Sequence, residues 1–463
     1  MVFSSIPFLY FFLPSVLLCY LIVPKKAKNI VLLVFSLLFY WWGEPKYALL
    51  MVFTITFCYF AGILIENRRT APKGKLLLTI SVAVPLGLLA IFKYADFLLG
   101  SFNSLTGADI PLLNLALPIG ISFYTFQALS YLVDVYRGDV PAQRNYINLA
   151  TYIVLFPQLI AGPIVRYTTV VEDLDSRKHT LDNIALGIRR FVVGLGKKVL
   201  IANLLGSLCT AYRESADPSV LFAWIYAVSY ALQIYFDFSA YSDMAIGMGK
   251  MLGFRFLENF DYPFISKSIT EFWRRWHISL GSWFRDYVYI PLGGNRVGAK
   301  RQIFNILVVW CLTGLWHGAN WTFMAWGLYF GILLIIEKLF LKKHLEKLPG
   351  AFQHIYVLFF VLISFVLFNA ETFTMAKDDL TVMFGLGNLP FITNDTLYNL
   401  SSYGVLLTAA LIGATPVCRN LFRKTQNNKV VQVIEIVFVG AILILSTAYL
   451  VDGSFNPFLY FRF

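Results

Sequence analysis

Apolar windows of membrane-spanning length recur along the whole chain, beginning with residues 6–23. A window needs about 20 residues to cross roughly 30 Å of hydrocarbon, and in lipid it must be helical because each backbone polar group needs a partner within the segment. The pattern predicts an all-α polytopic membrane protein with about 11–13 membrane helices, counting re-entrant or partial spans. The first window has no basic residues before it and no small-residue cleavage site, so we interpret it as a retained anchor.

The windows differ in regularity along the chain. Between residues 118 and 330 they are interrupted by Pro, Gly and charged residues, whereas the flanking windows are regular. We therefore predict one domain, residues 1–463, with outer scaffold helices at 1–110, a catalytic core at 111–349 and C-terminal scaffold helices at 350–463. Irregular backbone at membrane depth is tolerated only where protein or water surrounds it, so the core is expected to line a cavity or tunnel.

Basic residues cluster in alternate connections. The basic connections are at residues 25–28, 68–75, 137–144, 338–347 and 419–429, and the connections at 43–47, 96–111 and 371–395 carry few basic residues. Because short cytoplasmic loops retain Lys and Arg, this alternation predicts that both chain ends lie outside the cytoplasm.

Composition supports the membrane assignment and argues against several classes of function. The chain of 463 residues is 58% hydrophobic and 14% charged, with a mean hydropathy of +0.67. The net charge of +12 follows from loop residues that contact anionic lipid head groups, so no nucleic-acid partner is expected. The five cysteines are dispersed and indicate core residues. No metal-spaced ligands, phosphate loop or Gly-x-Ser-x-Gly motif occurs, so we predict no metal site, no nucleotide hydrolysis and no serine-hydrolase chemistry.

His317 is the first candidate for chemistry, because it lies between two strongly apolar stretches in the run Thr-Gly-Leu-Trp-His-Gly-Ala-Asn-Trp at residues 313–321. A proton-transferring side chain inside a membrane indicates a functional site. The alternative is a core histidine that pairs with the indole of Trp316 or the amide of Asn320. The glycines at positions 314 and 327 permit close backbone approach and fit both interpretations.

The densest polar cluster lies upstream, at residues 272–294. Residues 263–301 hold seven basic residues against two acids, with aromatic residues interleaved: Lys267, Arg274, Arg275, Arg285, Arg296, Lys300 and Arg301 against Glu271 and Asp286. One interpretation is an interfacial helix whose arginines snorkel to the head groups. His277 inside the cluster favours another, in which the adjacent arginines 274 and 275 bind a phosphorylated carrier such as coenzyme A or a phosphopantetheine arm.

A helix from Gln302 to His317 would rise about 22 to 24 Å. If the preceding basic residues are cytoplasmic, His277 would lie near the inner face and His317 deep in the membrane or towards the outer face. A donor from the cytoplasm and an acceptor from outside would then meet at His317.

Three motifs carry a family resemblance: Trp-Arg-Arg-Trp-His at residues 273–277, Phe-Arg-Asp-Tyr at 284–287 with Ile-Pro-Leu-Gly-Gly at 290–294, and Gly-Leu-Trp-His-Gly at 314–318. They resemble the membrane-bound O-acyltransferase family, in particular its bacterial branch of alginate O-acetyltransferase and teichoic-acid D-alanyl transfer proteins. Further similar segments cover nearly the whole chain. Asn295 after the second motif and the closing Phe-Arg-Phe favour the alginate type, and Gly281-Ser282 departs from its usual Ser-Thr.

The resemblance implies a ring of helices around a central tunnel in a bacterial inner membrane, with His317 as the embedded catalytic histidine and His277 as a second functional histidine. Donor- or substrate-binding roles are expected for Arg274, Arg275, Trp276, Arg285, Asp286, Tyr287, Trp316 and Asn320. The expected donor is acetyl-CoA, used as a substrate without any permanently bound cofactor. The expected acceptor is an exported or cell-wall polysaccharide, and a separate extracytoplasmic protein of the SGNH-hydrolase type is the expected partner.

In the mechanism we expect, neutral His317 acts as general base on an acceptor hydroxyl. His277, Tyr287 or Asn320 would stabilise the oxyanion, and a covalent acyl-histidine route is the less favoured alternative. D-alanyl or other acyl transfer from a phosphopantetheinyl carrier protein is the alternative function. A lipid-linked sugar transporter predicts inverted repeats and paired intramembrane charges, and the sequence indicates neither. A non-catalytic scaffold would tolerate loss of His317.

Overall fold

The computed structural model describes residues 2–160, 162–425, 428–453 and 459, and within them the secondary structure is helical with no strand. This confirms the predicted all-α fold. The first helices are α1 (Leu13–Ile22), α2 (Lys28–Gly43), α3 (Ala48–Arg68), α4 (Gly74–Thr106), α5 (Ile121–Arg137), α6 (Tyr146–Val154) and α7 (Phe156–Leu159). They are followed by α8 (Tyr167–Asp175), α9 (Leu181–Gly196), α10 (Asn203–Glu214), α11 (Val220–Met251), α12 (Ile269–Arg275), α13 (Ile278–Phe284) and α14 (Ala299–His317). The last are α15 (Trp321–Ile336), α16 (Lys342–Leu345), α17 (Gly350–Asn369), α18 (Phe373–Met383), α19 (Asn394–Gly413), α20 (Val417–Thr425) and α21 (Lys429–Val451).

Seven helical segments are long and apolar enough to cross a membrane: Pro45–Arg68, Gly74–Thr106, Leu181–Glu214, Val220–Met251, Trp321–Leu345, Gly350–Asn369 and Lys429–Val451. The bent pair α19 and α20, with an angle of 66°, would make an eighth. These counts concern the described residues. The shorter apolar helix at Phe8–Ile22 is a candidate for the partial spans included in the predicted 11–13, and that larger number stays a prediction. The chain is a multi-pass membrane protein.

Within the described ranges, four π-helical segments interrupt this regularity, at Phe8–Phe12, Lys197–Ala202, Arg285–Tyr289 and Glu337–Leu341. A π-helical turn inserts one extra residue per turn and changes which side chains face the interior, and such turns are frequent at functional sites. Three of the four hold charged residues that matter below: Lys198, Arg285 and Glu337.

The chain folds into two compact units. Unit 1 comprises residues 1–191 and 242–258, and unit 2 comprises residues 192–241 and 259–463. The predicted single domain with three zones is a different kind of division and stays a prediction.

In unit 1, two of the basic connections meet at one end. The Glu66 carboxylate accepts a hydrogen bond from the backbone N–H of Ala142 at 2.9 Å and pairs with Arg144. Residue 66 precedes the connection at 68–75, and residues 142 and 144 lie within the connection at 137–144. Their common end agrees with the alternation of basic loops from which the topology is predicted.

In unit 2, basic residues from distant segments make polar contacts in two groups. Arg419 and Arg275 both contact the Asp261 carboxylate, at 3.4 and 3.1 Å, and Lys338 donates to the side-chain oxygen of Asn295 at 3.1 Å. Each group brings together segments far apart in sequence, and we call the residues of the two groups, with the adjacent Arg274, the basic end of unit 2.

Candidate active site

The histidine at position 317 lies at a tight corner between α14 and α15. The two helices pack so closely that a Cβ on Gly314 would collide with the carbonyl oxygen of Phe323, and one on Gly327 with that of Trp310. Only glycine allows this approach. α14 ends at His317, and the Asn320 side chain caps α15 by accepting from the Thr322 N–H at 3.0 Å.

Aromatic rings surround His317, which is 5% exposed. The ring centroids of Trp316 and Trp326 lie 5.0 Å from its imidazole centroid, and that of Phe368 lies 5.3 Å away, all in edge-on geometry. Such packing holds the imidazole in place and excludes water around it.

A cavity of about 20 Å³ adjoins His317. Its lining residues are Ile234, Asp237, Phe238, Trp276, His317, Trp326, Phe365, Phe368 and Leu459. This volume accommodates about one water molecule, so an acyl group needs a wider opening than the structure shows. The predicted tunnel remains a prediction.

His277 belongs to the same site. It lies in the turn between α12 and α13, is 2% exposed, and its ring contacts those of Phe238 at 4.6 Å and Trp316 at 5.7 Å. The sequence predicts that the two histidines lie at different depths. The structure instead brings both imidazoles against Trp316, because the segment that holds His277 folds into the interior. Burial, and then the charge of His317, lower the pKa of His277 well below its ordinary value.

The helix before His277 is anchored by a buried carboxylate. Glu337 is 1% exposed and accepts hydrogen bonds from the backbone N–H of Ile269 at 2.5 Å and of Thr270 at 2.9 Å. A negative charge at the first turn of α12 offsets the helix dipole and satisfies its free N–H groups. Glu337 thus holds the helix that presents the predicted donor-binding residues.

Those residues occupy different environments. Arg274 is exposed on α12, whereas Arg275 pairs with Glu271 at 3.0 Å and Asp261 at 3.1 Å. Trp276 is buried and lines the cavity. We infer that Arg275 fixes α12 in place, while Arg274 has the access that a ligand requires.

The remaining predicted residues do not line the cavity. The Arg285 guanidinium contacts the Asp286 carboxylate at 2.7 Å, and the ring of Tyr287 packs on Trp283 at 5.1 Å. The Asn320 amide donates to the Glu371 carbonyl at 3.0 Å while its oxygen caps α15. Both ends of this side chain are therefore engaged in structure. The catalytic and binding roles of these residues stay predictions.

Beside the site lies a charged pair that the sequence does not reveal. Lys198 Nζ lies 2.6 Å from Asp237 Oδ1, and both residues belong to helices that qualify as membrane spans. The sequence indicates no paired intramembrane charges, and this expectation is wrong. The signal was present as a lysine and an aspartate within apolar windows, which are expected to have partners, but their pairing depends on the fold.

Among the described residues, no group of three or more His, Cys, Asp or Glu side chains is arranged to hold a metal ion.

Comparison with known proteins agrees with the site. The model of the membrane-bound O-acyltransferase family matches residues 140–376, which include both histidines. A probable alginate O-acetylase of Pseudomonas putida is 40% identical over the full length of both chains. A peptidoglycan O-acetyltransferase of Helicobacter pylori is 34% identical, covering 84% of this chain and 81% of its own. A teichoic acid D-alanyltransferase of Bacillus subtilis is 29% identical over 56% of this chain and 70% of its own.

The alginate-type resemblance is thereby confirmed over the D-alanyl type, since it has higher identity and extends over the whole chain. The chain belongs to the membrane-bound O-acyltransferase family and is an O-acyltransferase.

Proposed function

We propose that this protein moves an acetyl group from a cytoplasmic thioester donor, acetyl-CoA, across the membrane for O-acetylation of an exported or cell-wall polysaccharide. The observation that carries the proposal is the pair of buried histidines, His277 and His317, which both contact one indole, that of Trp316. Ester formation on a hydroxyl needs a positioned base in a site that excludes competing water. The names of the acetylating relatives support acetyl as the transferred group.

His317 acts as the general base in this proposal. Its imidazole takes the proton of the acceptor hydroxyl while the hydroxyl oxygen attacks the thioester carbonyl carbon. The new C–O bond gives a tetrahedral oxyanion, which needs hydrogen-bond donors. When the intermediate collapses, the C–S bond breaks and the departing thiolate recovers the proton from His317. Ester and free CoA are the products.

The basic end of unit 2 supplies the donor-binding surface in this proposal. Arg274 is exposed there, and a guanidinium can bind a phosphate oxygen through two parallel hydrogen bonds. Coenzyme A carries several phosphate groups, so its attraction to this end would orient the thioester towards the cavity. This requires the basic end to face the cytoplasm, as the loop charges predict, with both termini outside.

In our proposal, delivery of the acetyl group to the polysaccharide requires a second protein. The chain lies in a bacterial inner membrane, and a separate extracytoplasmic protein of the SGNH-hydrolase type completes the transfer to the glycan. Deleting that partner should abolish acetylation of the polysaccharide, because the acetyl group then has no route from this chain to the glycan.

The test uses the purified protein in lipid vesicles with the extracytoplasmic partner, radiolabelled acetyl-CoA and added polysaccharide. CoA release and label on protein or glycan are measured for the wild type and for His317→Gln. A general base contributes about 100-fold or more, so we expect a loss of that size. His344→Gln is the matched control because His344 is an exposed histidine, and it should retain the wild-type rate. Wild-type turnover by a correctly inserted His317→Gln protein would rule out the proposed mechanism.

Acyl transfer from a carrier protein is the second candidate, favoured by the similarity to a D-alanyltransferase. It predicts His317-dependent transfer from an acyl group on a phosphopantetheinylated carrier, with no turnover of free acetyl-CoA. Presenting both donors to the same vesicles separates the two functions.

A further inference from the structure

One asparagine holds the turn that carries His277. Asn259 is 1% exposed, and its backbone oxygen accepts the Ile278 N–H at 2.9 Å. Its side-chain oxygen accepts from the Ser279 N–H at 3.2 Å and the Ser279 hydroxyl at 2.9 Å. The same oxygen lies 3.2 Å from Nδ1 of His277.

These contacts determine which nitrogen of His277 carries the proton. A backbone N–H can only donate, so the Asn259 atom facing Ser279 must be the oxygen and not the nitrogen of the amide. An amide oxygen can only accept. The Nδ1 atom of His277 must therefore carry a hydrogen and donate it to Asn259. In the neutral imidazole the other nitrogen, Nε2, then carries a lone pair.

The same asparagine replaces a helix cap. His277 is the N-cap residue of α13, but its side chain makes no capping hydrogen bond. Its backbone has φ 46° and ψ 53°, a left-handed conformation that is costly for a residue with a side chain. Asn259 satisfies the first two N–H groups of α13, and the second of them, at Ser279, is one that an N-cap side chain ordinarily serves. The imidazole is thereby released from capping and packs against Trp316 and Phe238.

We propose that Asn259 is a positioning residue that sets the tautomer and orientation of His277, so that Nε2 presents a hydrogen-bond acceptor during acyl transfer. This inference rests on the proposed function. Neutral His277 then accepts a hydrogen bond through Nε2 and does not donate one to the oxyanion, whose donors come from other groups. The low pKa that burial imposes on His277 keeps it in this neutral form.

The tautomer can be observed directly by nitrogen NMR of protein labelled with ¹⁵N-histidine in lipid. The chain has only five histidines, and the His277→Gln variant identifies the signals of residue 277. We expect a protonated Nδ1 and an unprotonated Nε2 in the wild type at neutral pH. Asn259→Asp keeps an acceptor oxygen and should keep this tautomer, whereas Asn259→Leu should shift it towards protonated Nε2.

Ser279→Ala is the matched control. It removes one hydrogen bond to Asn259 but leaves the Ser279 N–H and the contact with His277, so the tautomer should not change. If Asn259 has only a structural role, Asn259→Leu and Ser279→Ala should both change the stability of the protein, and neither should change the tautomer of His277. If Asn259→Leu does not fold, the wild-type and Asn259→Asp spectra still decide, because protonated Nε2 in either one overturns the proposal.

Kinetics provide the second readout. A histidine in the wrong tautomer lowers kcat while leaving binding intact, so Asn259→Leu should lower kcat at least about tenfold with KM for acetyl-CoA unchanged. Asn259→Asp should recover part of this loss. An unchanged kcat in folded Asn259→Leu protein would overturn the assigned role. Absence of wild-type turnover with acetyl-CoA would instead count against the proposed function, while the NMR result on the tautomer would stand.

Discussion

Lys198 and Asp237 form an ion pair of 2.6 Å with side chains only 3% and 2% exposed. The pair joins α11 to the π-helical segment that follows α9. The second carboxylate oxygen of Asp237 accepts the backbone N–H of Leu459 at 3.0 Å, and Asp237 and Leu459 both line the cavity at His317. One buried carboxylate therefore connects a membrane helix, a C-terminal residue and the candidate active site.

Breaking this pair on one side should destabilise the protein strongly. Removal of one partner leaves an uncompensated charge in the interior, which costs about 3–5 kcal/mol. We expect Lys198→Met and Asp237→Asn each to lower the temperature of unfolding. The double variant Lys198→Met with Asp237→Asn should be less destabilised than the sum of the single variants, since no charge is left unpaired. Thermal unfolding in detergent measures this, and additive effects would show that the pair is not coupled.

Trp326 is predicted to supply a hydrogen bond to the reaction. It lines the cavity, and its indole N–H is buried without a hydrogen-bond partner in the described part of the chain. Trp326→Phe removes an unsatisfied donor, a gain of about 1–3 kcal/mol that offsets the packing lost with the smaller ring. If the N–H faces the oxyanion, the transfer rate should fall about 100-fold or more.

Trp273→Phe is the control for this prediction. Its indole N–H is likewise buried without a partner among the described residues, but Trp273 does not line the cavity. The rate should then remain close to that of the wild type. Equal effects of the two variants on rate would mean that ring packing, and not the N–H of Trp326, matters.

The corner at His317 should depend on Gly327. A Cβ there would collide with the backbone of Trp310 and approach Gly314, and backbone atoms cannot move aside as side chains can. We expect Gly327→Ala to destabilise the protein by about 1–3 kcal/mol and to lower the transfer rate through displacement of His317. Gly440→Ala is the matched control in α21, where an added Cβ meets no described atom within 4 Å apart from its chain neighbours and the backbone of its own helix. It should be neutral or stabilise by about 0.5–1 kcal/mol, and thermal unfolding compares the two.

Acid sensitivity should arise partly from His179 in unit 1. Burial, and then the charges of Lys28, Arg177 and Lys25, lower the pKa of His179 to about 4. Its Nε2 also lies 3.4 Å from the Tyr20 hydroxyl. Between about pH 6.5 and 4 the unfolded chain binds a proton at this histidine and the folded chain does not, so stability is lost as the pH falls through this window.

The His179→Gln variant tests this linkage. Its unfolding temperature should fall less than that of the wild type between pH 7 and pH 5, because glutamine binds no proton. His344→Gln replaces an exposed histidine instead and controls for the substitution itself. The same fall in His179→Gln as in the wild type would assign the acid sensitivity to other groups.

The apolar windows were sufficient to predict a polytopic helical membrane protein, and the resemblance carried by the three motifs implied an acyltransferase with His317 as its candidate base. Helix formation in lipid is a local requirement, since each apolar segment must satisfy its own backbone. The charge alternation likewise needs only the order of segments along the chain, and the contact of Glu66 with Arg144 at one end of unit 1 agrees with it.

The arrangement of the site depends on contacts between distant segments, which the sequence does not show. His277 was predicted as a candidate from the sequence. Its position against Trp316, which His317 also contacts, depends on the inward fold of the segment around α12. Glu337, from a distant helix, anchors that segment. Asn259 has no periodicity, motif or charge that marks it, and its importance comes from a contact 18 residues along the chain.

The sequence by itself determined the fold class, the candidate histidines and the basic segments, because hydrophobicity, charge and motif are properties of neighbouring residues. Tertiary structure alone decided that Lys198 pairs with Asp237, that both histidines meet at Trp316, and that Asn259 holds the proton of His277 on Nδ1. The physical reason is that ion pairs and hydrogen bonds act over about 3 Å, so their partners are chosen by packing in space and not by spacing along the chain.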